Sequence, residues 1–264
     1  MYKVIADIDE LKFFYDNVLE KPKDNESIMI MHSARAKKLT PEEKQEYALG
    51  RAEMFHTEIS KKRMDEEYTW IDFLSAVSKL EVNENGYLTK NKKPYPAKTL
   101  VSYIYMNPSN EAAVAQDTLN RINTINAEIF ASVIKGSKSG VDESLAKLSS
   151  ISSHVKSCHA AHPSRKVWID FDADIDNLSD EEIKMIDQTT VKFFGGGNHF
   201  LIKTSGGVHI LARREALKFN PNNFINALEE NFNTTRVKEI KKNDNNMIPI
   251  PGTYQYGNIV RIIK

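Results

Sequence analysis

The sequence predicts an α+β fold in which a largely helical N-terminal region, residues 1–166, packs on a ferredoxin-like (RRM-like) βαββαβ module, residues 167–264. Two observations carry this. Up to residue 166 the chain is dominated by segments with helical apolar spacing and recognisable caps, whereas beyond it short runs rich in β-branched and aromatic residues alternate with two helical stretches. A chain of 264 residues, 41% hydrophobic and 27% charged, is long enough to bury one large core or a core with a smaller companion.

In chain order, a first helix is predicted over residues 9–19, followed by the extended apolar run SIMIMH. Thr40-Pro41-Glu42-Glu43 combines a cap, a proline at the first helical position and a glutamate three residues after the cap, which predicts a helix running toward Lys62. Helices over 68–80, 110–135 and 142–160 follow, with TLVSYIYM as a second extended run and VNENGYLTKNKKPYPAK as a polar turn region. From residue 167, KVWIDF reads as a strand. LSDEEIKMIDQTTVKFF reads as a helix capped by Ser179 with Glu182 and closed by Gly195, Gly196 and Gly197. NHFLIKT and GVHILAR are strands around a tight SGG turn; a helix from about Asn222 to Phe232, a strand TRVKEIK and a final hairpin pair flanking PGTYQYG complete the chain.

Composition narrows the classes. Lys plus Arg and Asp plus Glu are 36 each, so net charge offers no argument for a nucleic-acid or membrane partner, and any steering has to come from local clusters. One cysteine excludes an internal disulfide framework and fits a reducing compartment; no apolar run has the length of a membrane span or signal peptide, so a cytoplasmic location with no membrane partner is expected.

The chemistry concentrates in VWIDFDADID. In the usual ferredoxin-like strand order, 4-1-3-2, the strands carrying Asp170, His209 and Glu239 are neighbours. Residues two apart on a strand share a face, so Asp170 and Asp172 point the same way, toward an open sheet surface, while Ile169 and Phe171 enter the core. Carboxylates held that close repel unless a proton or cation lies between them, and an oxygen-only donor set suits Mg2+ or Mn2+ shared with substrate phosphates. Across from them, KTSGGVHIL offers Lys203, the Ser205 hydroxyl, the backbone amides of Gly206 and Gly207, and the His209 imidazole to an anion. Metal on one strand and phosphate on the next point to nucleotide chemistry.

The DFD of Asp170 and Asp172, the SGGVH of Ser205 to His209 and the IPIPGTYQYG near the end resemble the archaeo-eukaryotic primase superfamily, over roughly the last hundred residues. The resemblance implies a DNA primase-polymerase: a nucleotidyltransferase of a mobile element or virus that uses nucleoside triphosphates on a DNA template, with a replicative helicase acting in trans. It implies that Asp170 and Asp172 are metal ligands and that Ser205 and His209 touch the triphosphate. A third acid is expected on a later strand, usually an aspartate after a hydrophobic residue; VKEIKKNDNNM has no such pair, and Glu239 is the candidate, with Asp244 as substitute.

Other readings stand beside this one. Asp-x-Asp also occurs in sugar-nucleotide transferases and in aspartyl phosphatases, although the latter favour Thr or Val where this chain has Asp174. Another Mg2+- or Mn2+-dependent transferase and a catalytically inactive nucleic-acid-binding module are the alternatives. Asp174, Asp176 and Asp180 read as a solvated acidic loop leading into a helix start. His154, Cys158 and His162 are four apart on a predicted helix, with His159 nearby; these types ligate zinc, but the spacing follows no common zinc pattern and reads more simply as a packed helix with a buried thiol. Arg35, Lys37, Lys38, Arg51, Lys61, Lys62 and Arg63 are the cations available for template phosphates, each of which taken singly reads as part of a solvated helix face, and Tyr47, Phe55 and Trp70 read as core.

Overall fold

The computed structural model describes the chain apart from residues 1–2, 51, 64, 82–85, 90, 176, 233–236, 244–246 and 264. Helix α1 (Ile8–Asn17) starts at Asp7, whose side chain accepts from the Glu10 N–H, and buries Leu11, Phe14 and Tyr15. Strand β1 (Glu26–Arg35) is buried over nearly its whole length, and a single 3-10 turn, Ala36–Lys38, ends it.

The Thr40–Glu43 capping box forms as predicted, but helix α2 (Pro41–Glu46) is short and does not run toward Lys62. The chain reverses where Ala48 adopts a left-handed φ of 50° and the Leu49 N–H returns to the Lys44 carbonyl. Strand β2 (Ala52–Ser60) then pairs antiparallel with β1. A capping box marks where a helix begins and says nothing of its length; the ladder with β1 decides the conformation of AEMFHTEIS.

Helix α3 (Trp70–Ser78), boxed by Thr69 and Asp72, buries Phe73, Ala76 and Val77. Strand β3 (Leu100–Tyr105) takes the other side of β1, and the two-residue β4 (Ser109–Asn110) leads into an arm of three helices, α4 (Glu111–Ile134), α5 (Lys138–Ser149) and α6 (Ile151–Ala161). The single helix predicted over 142–160 is therefore two, joined at Ser150.

The second half follows the predicted order: β5 (Trp168–Ile175), α7 (Asp180–Phe194), β6 (His199–Thr204), β7 (Gly207–Arg213), α8 (Pro221–Glu230) and β8 (Val237–Asn243). The Ser179–Glu182 box and Gly195, at φ 81°, bound α7 as expected. After β8 the chain crosses to the first sheet as β9 (Met247–Pro249), β10 (Tyr254–Gln255) and β11 (Asn258–Ile259), then returns as β12 (Arg261–Ile263) on the edge of β6. The pair predicted to flank PGTYQYG is thus split, β9 and β11 on the N-terminal sheet and β12 on the module, a correction to its predicted place on the module alone.

Among the described residues there are two antiparallel sheets, β11-β10-β3-β1-β2 with β4 and β9 attached, and β12-β6-β7-β5-β8. The order β8-β5-β7-β6 is the predicted 4-1-3-2 arrangement, and the class is α+β.

Alternation along β5 divides its neighbours. Ile169, Phe171, Ala173 and Ile175 pack with Ile183, Ile186, Phe194, Phe224 and Leu228 under α7 and α8. Trp168, on the opposite face, joins Leu211 and Ile202 in a core that contains Phe14, Phe73, Ile30, Ile104 and Ile250 of the first sheet and its helices. The acid-bearing face is therefore covered at its base instead of lying open, and Asp170 is 0% exposed.

At the SGG turn the two glycines differ. Gly207 has φ 148°, and a Cβ there would lie 2.0 Å from the Ala173 carbonyl oxygen on β5, whereas a Cβ on Gly206 would approach the Lys37 Nζ at 3.3 Å. Gly207→Ala is expected to cost on the order of 3 kcal/mol or more, through backbone displacement at the centre of the sheet. Gly206→Ala should leave the denaturant midpoint nearly unchanged; equal midpoints for the two variants would contradict this geometry.

Candidate active site

Directly opposed residues in an antiparallel ladder share a face, so the register reads out the site row by row. Asp172 faces His209 on β7 and Lys241 on β8; Asp170 faces Leu211 and Asn243; Asp174 faces Glu239. The three strands named from the sequence are adjacent as expected, but Glu239 lies at the outer end of the face beside Asp174, and Asn243 and Lys241 occupy the positions across from the two predicted metal ligands.

Asp170 has no access to solvent and is satisfied by protein donors. His209 Nδ1 donates to its two carboxylate oxygens at 3.1 Å each, and Asn243 Nδ2 lies at 3.5 Å. His209 Nε2 is 3.7 Å from Asp172 Oδ1. Burial disfavours a charged imidazole, but the Asp170 carboxylate, its hydrogen bond and the Asp172 charge outweigh that and push His209 up to about 9. The imidazolium thus bridges the two acids and relieves the repulsion that the sequence placed there. Burial also raises Asp172 above its usual range, with Asp170 and Asp174 adding to the effect and His209 and Lys37 opposing it.

Above this row lies a cleft of about 530 Å³ between the two sheets. One wall carries Asp172, Asp174, His209, Glu239 and Lys241; the other, from the first sheet, carries Arg35, Tyr103 and Tyr256. Lys37, from the turn after β1, reaches across to Asp174 at 2.9 and 3.1 Å, and Arg35 Nη1 donates to the Tyr103 hydroxyl at 2.8 Å. Glu239, exposed, pairs with Lys241.

The SGG turn is tied to the C-terminal tail: the Ser205 backbone N–H donates to Gln255 Oε1 at 2.9 Å and its hydroxyl to the same oxygen at 3.3 Å. Gly206 lines the cleft, as does Thr204. Lys203 does not. It pairs with Val208, a member of the core under α7 and α8, so alternation puts it on the face away from His209.

Of the cations proposed for template phosphates, Arg35 and Lys37 face this cleft, while Lys61, Lys62 and Arg63 pair with Glu111, Asp24 and Asp72 elsewhere. Asp244, Asp176 and Arg51 lie outside the described residues. Among the aromatics read as core, Phe55 and Tyr47 pack on the cluster around Tyr95 and Leu100, and Trp70 packs beside Tyr15 and Phe73.

Lys241, Asn243, Gln255 and Tyr256 were not identified from the sequence. The first two carry a signal, since Glu239, Lys241 and Asn243 alternate along β8; the last two reach the cleft only because the tail crosses between sheets.

Carboxylates that share one face fit a hard divalent ion by donor chemistry. Yet among the described residues the side chains close enough to hold an ion as a group of three are Asp117, His154 and Cys158, outside the cleft. Asp170, Asp172 and Glu239 form no such group, because His209 engages both aspartates and Glu239 is opposite Asp174. Among the described residues no helix is long and apolar enough to cross a membrane. No protein-family model, curated protein or solved structure matches the chain.

The raised value of His209 ties folding stability to pH. Its stabilising contribution is fully present below the unfolded imidazole value of about 6.5 and is lost as pH rises through about 9, an effect on the order of 3 kcal/mol. Urea unfolding of the wild type is expected to show stability falling between pH 7 and pH 10, and Asp170→Asn should flatten that fall. NMR titration giving His209 a value near 6 would contradict the ion pair.

Proposed function

We propose that the cleft between the sheets is the active centre of a metal-dependent nucleotidyltransferase of primase-polymerase type, which joins nucleoside triphosphates to a 3′ end on a DNA template. The observation that carries this reading is the Asp172–His209 row on adjacent central strands, with the SGG turn at its edge and Arg35 and Lys37 facing it across the cleft. Acids and cations on opposing walls suit a triphosphate that arrives with a divalent cation.

A Mg2+ or Mn2+ ion held by Asp172 and Asp174, with Asp170 behind them, would supply charge neutralisation for the triphosphate and a more acidic 3′ hydroxyl. The chain's own groups do the rest. His209 keeps its proton at neutral pH and presents Nε2–H toward the cleft as a donor to a phosphate oxygen. Were Asp174 to hold the ion, Lys37, which pairs with it here, would be available to the same anion, and Arg35 is positioned by the Tyr103 hydroxyl to reach it. Gln255 fixes the Ser205 end of the turn, and the Gly206 N–H donates to Thr204 Oγ1 at 3.3 Å, so the turn is held in place at the edge of the cleft. The 3′ hydroxyl gives its proton to solvent and its oxygen bonds to the α phosphorus as the bond to pyrophosphate breaks.

One feature favours a second reading, a nucleotide- or DNA-binding module without turnover: Lys241 and Asn243, and no acid, stand across β8 from Asp172 and Asp170.

The discriminating measurement is incorporation of labelled nucleotide on a primed DNA template with Mg2+ or Mn2+. Asp172→Asn is expected to lower the rate by about 10²–10³-fold, and Glu239→Gln, exposed and opposite Asp174, by far less. Arg35→Ala and Lys37→Ala should chiefly weaken triphosphate binding. Triphosphate binding with no incorporation under any metal would establish the second reading, and absence of both would remove the proposal.

A further inference from the structure

The helical arm has little apolar substance of its own. Its three helices span Glu111 to Ala161, yet the buried residues within them are Val114, Ile125, Ser144, Cys158 and His159. Several large side chains at its far end, Phe130, Val133 and Ile134, are exposed. So thin a core leaves three helices short of the burial that ordinarily holds such a unit together, which is the circumstance in which small units use a metal or disulfide as a staple. The one cysteine of the chain excludes an internal disulfide.

At the base of the arm, four side chains of metal-ligating type converge. His154 and Cys158 are one helical turn apart on α6, His162 follows its last turn, and Asp117 comes from α4, which packs alongside. Cys158 Sγ is 3.3 Å from His154 Nε2 and 3.4 Å from Asp117 Oδ2, and His162 Nε2 is 2.9 Å from that same oxygen. The ligand atoms of Asp117, His154 and Cys158 all lie within 4.8 Å of one another. Bonds of about 2.0–2.3 Å to a tetrahedral ion separate its ligands by roughly 3.3–3.7 Å, so the sulfur–nitrogen and sulfur–oxygen pairs already have the spacing of tetrahedron edges.

The geometry points to a zinc-class metal site formed by Asp117, His154 and Cys158, with His162 at its edge, that clips α4 to α6. The sequence offered His154, Cys158 and His162 without a common zinc spacing, because the carboxylate that completes the set, Asp117, lies far along the chain on another helix. Thiolate sulfur and imidazole nitrogen select Zn2+ over Mg2+ or Ca2+, and one thiolate with one carboxylate neutralises the ion. Cys158 is 2% exposed, so the thiolate sits away from solvent, while the half-exposed imidazole and carboxylate leave a path for the ion. On binding, the Cys158 thiol proton passes to solvent as the sulfur–metal bond forms.

The site stands at the end of the arm from which the chain runs on into β5. The Asn110 N–H donates to the His162 carbonyl, Ser109 Oγ donates to the His159 carbonyl, and the chain goes on from His162 through Arg165, paired with Glu20 and Glu26, into β5. A clip here holds the arm at the root of the strand that carries Asp170 and Asp172.

The test is titration of the chelator-treated full chain with Co2+, read by the sulfur-to-metal charge-transfer absorption in the near ultraviolet, and with Zn2+ by calorimetry and thermal unfolding. One equivalent is expected, with the charge-transfer band and a raised Tm. Because the chain has one cysteine, the band reports this site alone. Cys158→Ser should abolish the band, and His154→Ala and Asp117→Asn should each weaken Zn2+ binding by roughly 100-fold or more, with His162→Ala costing about 10- to 100-fold. Asp172→Asn in the cleft should leave the band unchanged. Absence of the band in the wild type at stoichiometric Co2+ would overturn the site, as would unchanged affinity in the folded His154→Ala, Asp117→Asn double variant, which would reduce it to a lone thiol.

Discussion

A carboxylate with no access to solvent has to be met by a cation or by hydrogen-bond donors, and Asp170 is met by His209. That pair lies at the seam of the two sheets, and much else follows from it. It needs Asp170 and His209 near each other, which the β5–β7 register supplies by setting His209 opposite Asp172, diagonal to Asp170. It needs cover from the first half of the molecule, which arrives through the core that Trp168 and Leu211 share with Phe14, Phe73 and Ile104. Asn107, just after β3, fastens that cover: its Oδ1 accepts the Val167 and Trp168 N–H groups at 2.8 and 3.1 Å. A buried ion pair of this kind contributes little to net stability compared with an apolar pair of the same volume, but it penalises every arrangement in which one partner is left alone.

The same logic organises the cleft above. Asp174 is matched by Lys37 and Glu239 by Lys241, so three of the acids on the face already have a cation from the protein. Asp172 is the acid most exposed to the cleft without so close a partner, its nearest cation being His209 at 3.7 Å. The tail contributes on both sides of the seam. Gly252 takes φ 80° and sits where a Cβ would strike the Asp7 carbonyl oxygen at 2.5 Å, and its own carbonyl accepts the Ala6 and Asp7 N–H groups. The PGT segment is therefore a packing joint against the start of α1, three residues before the Gln255 side chain that holds the SGG turn.

The second half of the fold was legible because its signals are local. A capping box at Ser179, a glycine after Phe194, alternation in WIDFDADI and a tight turn between two strands each depend on a few neighbouring residues, and the strand order followed from the sequence of elements. Strand β2 was not legible, because AEMFHTEIS follows a strong helix start and becomes a strand only by pairing with a buried neighbour twenty or so residues earlier. For the site, alternation identified the face shared by Asp170 and Asp172 but could not reveal what covers it. Lys203 shows the opposite failure: its parity against His209 was readable across the turn, and the attraction of a cation near a phosphate-type loop obscured it. Arg35, Lys37 and Gln255 carry no signal near the site in sequence, since they meet it only through the packing of one sheet on the other.

The crossing of the tail also has a temporal side. Strands β9, β10 and β11 complete the sheet begun by β1, and the Ile262 N–H closes on the Glu10 side chain across 252 positions of chain. A ribosome delivers β1 to β3 long before these partners, so the first sheet waits with its β3 edge unpaired and the cleft without its Gln255 and Tyr256 until the tail emerges. Contacts so distant in sequence close slowly and leave strand edges exposed meanwhile, so this half of the molecule is the last to be completed.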